Sequence, residues 1–195
     1  MCNLYRIEKN PDAIRRLFEG VQVPLTFPEG VPNIQPADIH ITDRAPVVRW
    51  NTDHAELVVR RWSWPSPNGK PVFNMRSDGR EFPKDRCLVP LDGFYEYTKS
   101  EGPKQKRKSC WLFRPAAGQE FAVAGLIRPN TDVGEAFTLL TAPPGPDVGR
   151  YHNRQIALLR PDQWKNWLDG SAKSLDVLHP TAAGELDVAT ASSSP

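Results

Sequence analysis

Apolar residues recur at helical spacing in two short stretches of the chain. Residues 11–20 (PDAIRRLFEG) set Ile14, Leu17 and Phe18 at i, i+3 and i+4, with Pro11 in the first turn and Gly20 as a stop. Residues 161–170 (PDQWKNWLDG) repeat that arrangement with Trp164, Trp167 and Leu168. Between these helices the pattern shortens to alternating or briefly continuous apolar runs at 45–50, 55–62, 86–91, 93–98, 109–114, 120–128, 136–142 and 155–160. Runs of that kind predict strands. The 20 prolines keep them short, and many short strands with few helices predict an α+β fold. The expected architecture is a single compact domain, a mixed barrel-like β-sheet core with flanking short helices. Residues 99–108 (KSEGPKQKRK) read as a hairpin tip turning at Gly102-Pro103. Beyond Pro180 the apolar periodicity is lost, so the domain is expected over 1–180, with 181–195 as a flexible tail.

Composition adds exclusions. A chain of 195 residues with 39% hydrophobic content suits one core. Cys2, Cys87 and Cys110 form no C-x-x-C pair, and no histidine stands at ligand spacing from them. A zinc site and a disulfide framework are therefore not expected, and neither is a cofactor. No apolar run approaches the ~18–20 residues of a membrane span, and MCNLYRIEKN lacks the order of a signal peptide. The expected location is cytoplasmic, with no membrane contact and no obligate protein partner.

Charge changes the picture more. The net charge of +2 conceals an asymmetry: residues 60–114 hold 13 Lys/Arg against 6 Asp/Glu, and the remainder holds 12 against 17. A basic segment of +7 inside an otherwise acidic chain favours a polyanionic partner, with phosphate backbones first among candidates.

The candidate chemistry starts at the second residue. Removal of Met1 would leave Cys2 with an α-amine and a thiol on adjacent carbons, a 1,2-aminothiol that condenses with an aldehyde and closes a thiazolidine ring. Unperturbed, these groups titrate near ~7.7–8.0 and ~8.5. Imine formation expels water and needs proton transfer, work that a carboxylate and an imidazole can share. Glu96 sits between Tyr95 and Tyr97 in an apolar strand and faces away from both. His152 follows the Pro/Gly-rich stretch APPGPDVGRY. Asn74 and Arg76, two apart on an extended segment, share a face and suit a sugar oxygen beside a phosphate. Trp62 and Trp64 have the same spacing and are candidates for base stacking.

Four segments then line up behind the cysteine: RRWSWPSP (60–67), FNMRS (73–77), RCLVPLDGFYEY (86–97) and LLTAPPGPDVGRYHNR (139–154). In that order they resemble the SOS response-associated peptidase (SRAP) family of abasic-site processing proteins, from residue 2 to about residue 160. The resemblance implies a protein that binds single-stranded DNA and captures the aldehyde of an abasic site as a thiazolidine crosslink. It also implies a self-processing peptidase activity, with lyase activity as an extension. Residue by residue, it makes Cys2 the nucleophile, Asn74 and Arg76 the sugar and phosphate holders, Glu96 the carboxylate and His152 the acid/base. Arg154 joins Arg76, Trp62 and Trp64 as a DNA-binding residue. The chain departs from the family pattern at Asn3-Leu4, where Gly-Arg is common, leaving Arg6 as the candidate substitute. It departs again at Ser63 for glycine, at Met75 and Ser77-Asp78, and at Gln155-Ile156 for Met-Pro. Two other classes fit parts of the sequence: an N-terminal-nucleophile amidohydrolase using Cys2, and a non-enzymatic nucleic-acid-binding β module.

Overall fold

The computed structural model describes residues 2–98 and 109–191. Helix Pro11–Gly20 begins at Asn10, whose side chain accepts from the Ala13 N–H at 2.9 Å, and it buries Ile14 and Phe18. Helix Pro161–Leu168 buries Trp164, Trp167 and Leu168; the two indoles donate to the Leu159 and Cys87 carbonyls, each at 2.9 Å. Phe18 and Trp164 meet with ring centroids 5.0 Å apart, so both predicted amphipathic faces close over the sheets.

One antiparallel sheet has the spatial order Leu186–Ala191, Ser109–Pro115, Gly93–Thr98, Leu4–Ile7 and Ala37–His40. In the other, Ala136–Ala142, Ala122–Arg128, Arg86–Pro90, Arg44–Asn51 and His54–Trp62 lie side by side. This set closes into a ring, because Ala136 and Phe137 also pair in parallel with Arg61 and Trp62. Strand Asn74–Arg76 adds to Ala136–Ala142 in parallel, with Asn74 opposite Leu139. Ala136–Ala142 is buried along its whole length, its threonines Thr138 and Thr141 included, which explains its mostly apolar sequence. The α+β expectation holds, with the core taking the form of this ring of strands.

The chain end corrects an expectation. Residues beyond 180 contain a strand, Leu186–Ala191, in register with Ser109–Pro115 from Leu186 opposite Pro115 to Ala191 opposite Cys110. Leu186 is buried and Val188 packs against the core. The strand is held by backbone pairing at a sheet edge, which small residues satisfy as well as large ones, so its low apolar content hid it. Residues 192–195 and the expected hairpin tip at 99–108 lie outside the described residues. Among the described residues no helix is long and apolar enough to cross a membrane, and no group of three or more His, Cys, Asp or Glu could hold a metal.

Ser63 combines two costs. Its φ is +89°, a left-handed backbone that favours glycine, and its buried hydroxyl has no hydrogen-bond partner among the described residues. Ser63→Gly is expected to stabilise the fold by about 1 kcal/mol, the sum of relieved strain and restored polar balance less the entropy of glycine. Thermal unfolding should show a Tm higher by about 2–4 °C; an unchanged or lower Tm would count against this account of the position.

Candidate active site

Strand Gly93–Thr98 delivers Glu96. Its first residue must be glycine, because a Cβ there would stand 2.9 Å from the Phe113 carbonyl. Strand alternation then sends Tyr95 to one face, where its hydroxyl donates to Asp38 Oδ1 at 2.9 Å, and sends Glu96 to the opposite face, where it is 2% exposed. Cys2 lies just ahead of the neighbouring strand Leu4–Ile7 and is 1% exposed. Its thiol donates to the Leu4 carbonyl at 3.2 Å, and its own carbonyl accepts from Asn74 Nδ2 at 2.7 Å. Asn74 Oδ1 is buried and unused among the described residues.

His152 arrives from a tightly folded turn. Helix Pro146–Gly149 starts after Gly145, where a Cβ would strike the Thr181 carbonyl. The Gly145 N–H donates to Gln155 Oε1 at 2.6 Å, so Gln155 braces the loop, and the His152 N–H donates to the Val148 carbonyl at 3.0 Å. That geometry sets His152 Nε2 3.8 Å from Glu96 Oε2. The imidazole Nδ1 faces both backbone groups of Arg154, the N–H at 3.0 Å and the carbonyl at 2.9 Å.

Burial divides the titrating groups. It raises the Glu96 carboxyl to about 7 and lowers His152 below its ordinary value. Burial, reinforced by the nearby Glu96 charge, pushes the Cys2 thiol well up. The thiol is therefore less ionised at neutral pH than its free value implies, and its proton has to be moved during reaction. A protonated carboxyl beside a neutral imidazole is an arrangement that exchanges a proton near pH 7.

A family model described as SOS response associated peptidase (SRAP) matches residues 1–194. The chain belongs to the SRAP family. Membership associates it with the SOS response to DNA damage. A curated relative from Bacillus subtilis (strain 168), the abasic site processing protein YoaM, is 29% identical over 113 residues. That match covers 56% of this chain and 46% of the relative, so the chain spans less than half the length of that protein. A solved structure from Bacteroides thetaiotaomicron superposes with a TM-score of 0.76 at 18% identity, covering 98% of this chain and 93% of that one. A structure from Bordetella bronchiseptica gives 0.73 at 21%, covering 98% and 100%. A phage-related protein from the same organism gives 0.73 at 17%, covering 97% and 94%. At these identities the structures speak for the fold alone.

Within this SRAP fold, Cys2, Asn74, Glu96 and His152 converge from four separate segments. Arg76 is exposed at the rim, two residues beyond Asn74. Other expected DNA contacts are placed differently. Trp62 is 0% exposed and donates its indole N–H to the Phe73 carbonyl at 2.9 Å, and Trp64 is buried beneath Arg128. Neither ring is exposed on the surface, because the seam where the ring of strands closes is filled by large apolar groups. Arg154 is 11% exposed at its side chain and paired with Asp78 at 2.7 Å. Arg6 is held by Glu8 at 2.6 Å and Asp38 at 3.2 Å. Those pairs compete with its expected use as a stand-in phosphate ligand.

The basic segment also resolves into parts. Arg60 pairs with Glu29 and Glu135, Arg86 with Glu81, and Arg114 with Glu8. Lys70, Arg76, Arg80 and Lys84 are the exposed cations of that segment among the described residues. Sequence reasoning missed Trp111, which stands opposite Glu96 in register and packs on Tyr151 with ring centroids 4.7 Å apart. It also missed Thr141, which links the Asn74 strand to Arg154. Both depend on strand register, which only cross-strand pairing reveals.

Proposed function

We propose that this protein captures abasic sites in single-stranded DNA by forming a thiazolidine through Cys2 once Met1 is removed. The observation that carries the reading is the convergence of four groups. The Cys2 carbonyl is tied to Asn74 at 2.7 Å, and Glu96 and His152 stand 3.8 Å apart in the same interior. The family and the name of the Bacillus relative support DNA as partner and an abasic site as target.

The chemistry balances as follows. The Cys2 amine adds to the open-chain aldehyde to give a carbinolamine. Protonated Glu96 donates to the departing hydroxyl, which leaves as water and generates the iminium ion. The Cys2 sulfur then bonds to the iminium carbon, the thiol proton passes to the Glu96 carboxylate and restores its acid form, and the thiazolidine closes with no other reactant. His152 receives and returns the proton that opens the sugar. The same thiol, carboxyl and imidazole suffice to hydrolyse a peptide bond in front of Cys2, consuming one water and freeing the amine.

A denaturing gel of the mature protein with abasic single-stranded DNA tests the reading directly. A shifted band that survives denaturation is expected, and its absence with protein of verified mass lacking Met1 would overturn it. Arg76 is the exposed cation at the site rim, so Arg76→Ala should weaken binding to single strands. It should also reduce the salt slope of log K by about 0.7, the share of one neutralised phosphate. Titration at several salt concentrations measures both, and an unchanged slope would move the DNA path away from Arg76.

A further inference from the structure

A row of arginines crosses the outer wall of the ring of strands. Arg44 lies directly opposite Arg61, Arg61 pairs with Ala136, and Ala136 with Arg128, so one register level carries these guanidinium groups over a width of about 14 Å. Trp62 turns into the interior, so its neighbour Arg61 faces out with the other two. Arg44 and Arg128 are exposed, and Arg61 is half-buried. None of them meets a carboxylate among the described residues. Glu135, beside Ala136, is taken by Arg49 and Arg60, and Asp43, beside Arg44, accepts from the His40 N–H at 2.8 Å. Uncharged groups hold the row instead. Arg44 donates to the Val59 carbonyl at 2.8 Å, Arg61 donates to the Thr42 carbonyl at 3.4 Å, and the Arg128 guanidinium lies 4.0 Å from the centre of the Trp64 ring. Arg61 Nε is buried with no hydrogen-bond partner among the described residues.

Like charges directly opposite on neighbouring strands destabilise a sheet. A pair kept there with no carboxylate in reach points to an anionic ligand. We infer that this row is a second contact for the DNA phosphate backbone, outside the reaction site. Its place in the fold favours DNA as the anion. Strand Ala136–Ala142 carries the row at Ala136 and pairs Leu139 with Asn74, so the two levels are about 10 Å apart along one strand. A strand seated at Asn74 and Arg76 needs only a short extension to reach the row. The Trp64 ring fixes the Arg128 guanidinium before DNA arrives, which lowers the ordering cost of the contact. Arg44 and Arg128 lie outside the basic segment 60–114, so counting charge along the chain does not find this surface. Register does. The inference rests on the proposed binding of abasic DNA and adds where the DNA flanking the abasic site runs.

The test is fluorescence anisotropy of the full chain with DNA carrying a reduced abasic site, which has no aldehyde and cannot crosslink. The short probe has about 5 nucleotides; the long ones extend it to about 15, as single strand or as duplex, on the 5′ or the 3′ side. On one of the long probes the wild type should bind about 10-fold more tightly than on the short one. Its salt slope of log K should steepen by about 1.4 if that extension is single-stranded and by about 1.8 if it is duplex, the share of a pair of phosphates. Arg44→Gln/Arg128→Gln should lose both gains. Arg44→Lys/Arg128→Lys should keep most of them, since lysine supplies the charge without the planar contacts to Val59 and Trp64. No gain with length in the wild type would overturn the proposal. So would an equal loss on short and long probes, or a lysine variant as weak as the glutamine one, because the arginines would then act through the fold. Capture is read separately, with aldehyde-bearing DNA on a denaturing gel. A stable adduct with no length gain removes the row alone, and a length gain with no adduct removes capture alone.

Discussion

Cys2→Ala should lose the denaturation-stable adduct with abasic single-stranded DNA completely. Alanine keeps the α-amine, so an imine can still form, but no sulfur is present to close the ring and the imine hydrolyses on denaturation. Cys2→Ser should behave similarly, with a hydroxyl too weakly nucleophilic to replace the thiol. In both variants borohydride should trap a faint band by reducing the imine. The same logic makes retained Met1 inhibitory, because an acylated nitrogen cannot form the imine; intact mass and adduct yield should therefore correlate across preparations. A full-strength, denaturation-stable adduct from Cys2→Ala would remove the thiazolidine from the account. Substitution is also informative about access. Cys2 is buried and its thiol pKa is raised, so a general thiol reagent should modify the DNA-free protein slowly at this position.

Glu96→Gln should slow adduct formation by about 10²-fold while leaving the affinity for intact single strands nearly unchanged, since the amide preserves size but cannot donate an acidic proton. The pH profile carries the sharper signature. The free-amine fraction rises through ~7.7–8.0, whereas protonated Glu96 falls through about 7. Their product passes through a maximum between those values, and the alkaline decline should vanish in Glu96→Gln, leaving the rising amine limb alone. Stability should move the other way. The folded-state pKa of about 7 lies above the ordinary 4.5, so the native state holds this proton more tightly than the unfolded state. Stability therefore declines as pH rises from about 4.5 to about 7 and stays low above it. Relative to wild type, Glu96→Gln should be more stable at pH 8 by on the order of 3 kcal/mol, and nearly equal at pH 4.5. Urea titrations at the two pH values measure this, and equal differences at both would place the Glu96 pKa near its ordinary value. A variant that is slower and more stable is the behaviour of a group kept in an unfavourable environment for its chemistry.

Elements whose signal is local can be read along the chain. The helices at Pro11–Gly20 and Pro161–Leu168 were legible because buried and exposed faces repeat within three or four residues. The strands Arg44–Asn51, His54–Trp62, Arg86–Pro90, Gly93–Thr98, Ser109–Pro115, Ala122–Arg128 and Ala136–Ala142 were legible because their faces alternate or are mostly apolar, whereas Leu4–Ile7 and Ala37–His40 were not read as strands. Alternation likewise put Glu96 on the opposite face from Tyr95 and Tyr97, and only the packed chain shows that this face is interior. Strand Leu186–Ala191 was not, because its stability comes from a ladder to Ser109–Pro115 rather than from its own side chains. The surroundings of Arg154, Trp62 and Trp64 could not be read either. A cation or an indole has one composition whether it meets water, a phosphate or the interior, and only the packed chain decides among these. Asp78 closes on Arg154 across 76 residues, Asn74 reaches Cys2 across 72, and the ring of strands seals over Trp62. Local pattern fixes which face a residue turns; long-range closure fixes what that face meets, and that is where this site is made.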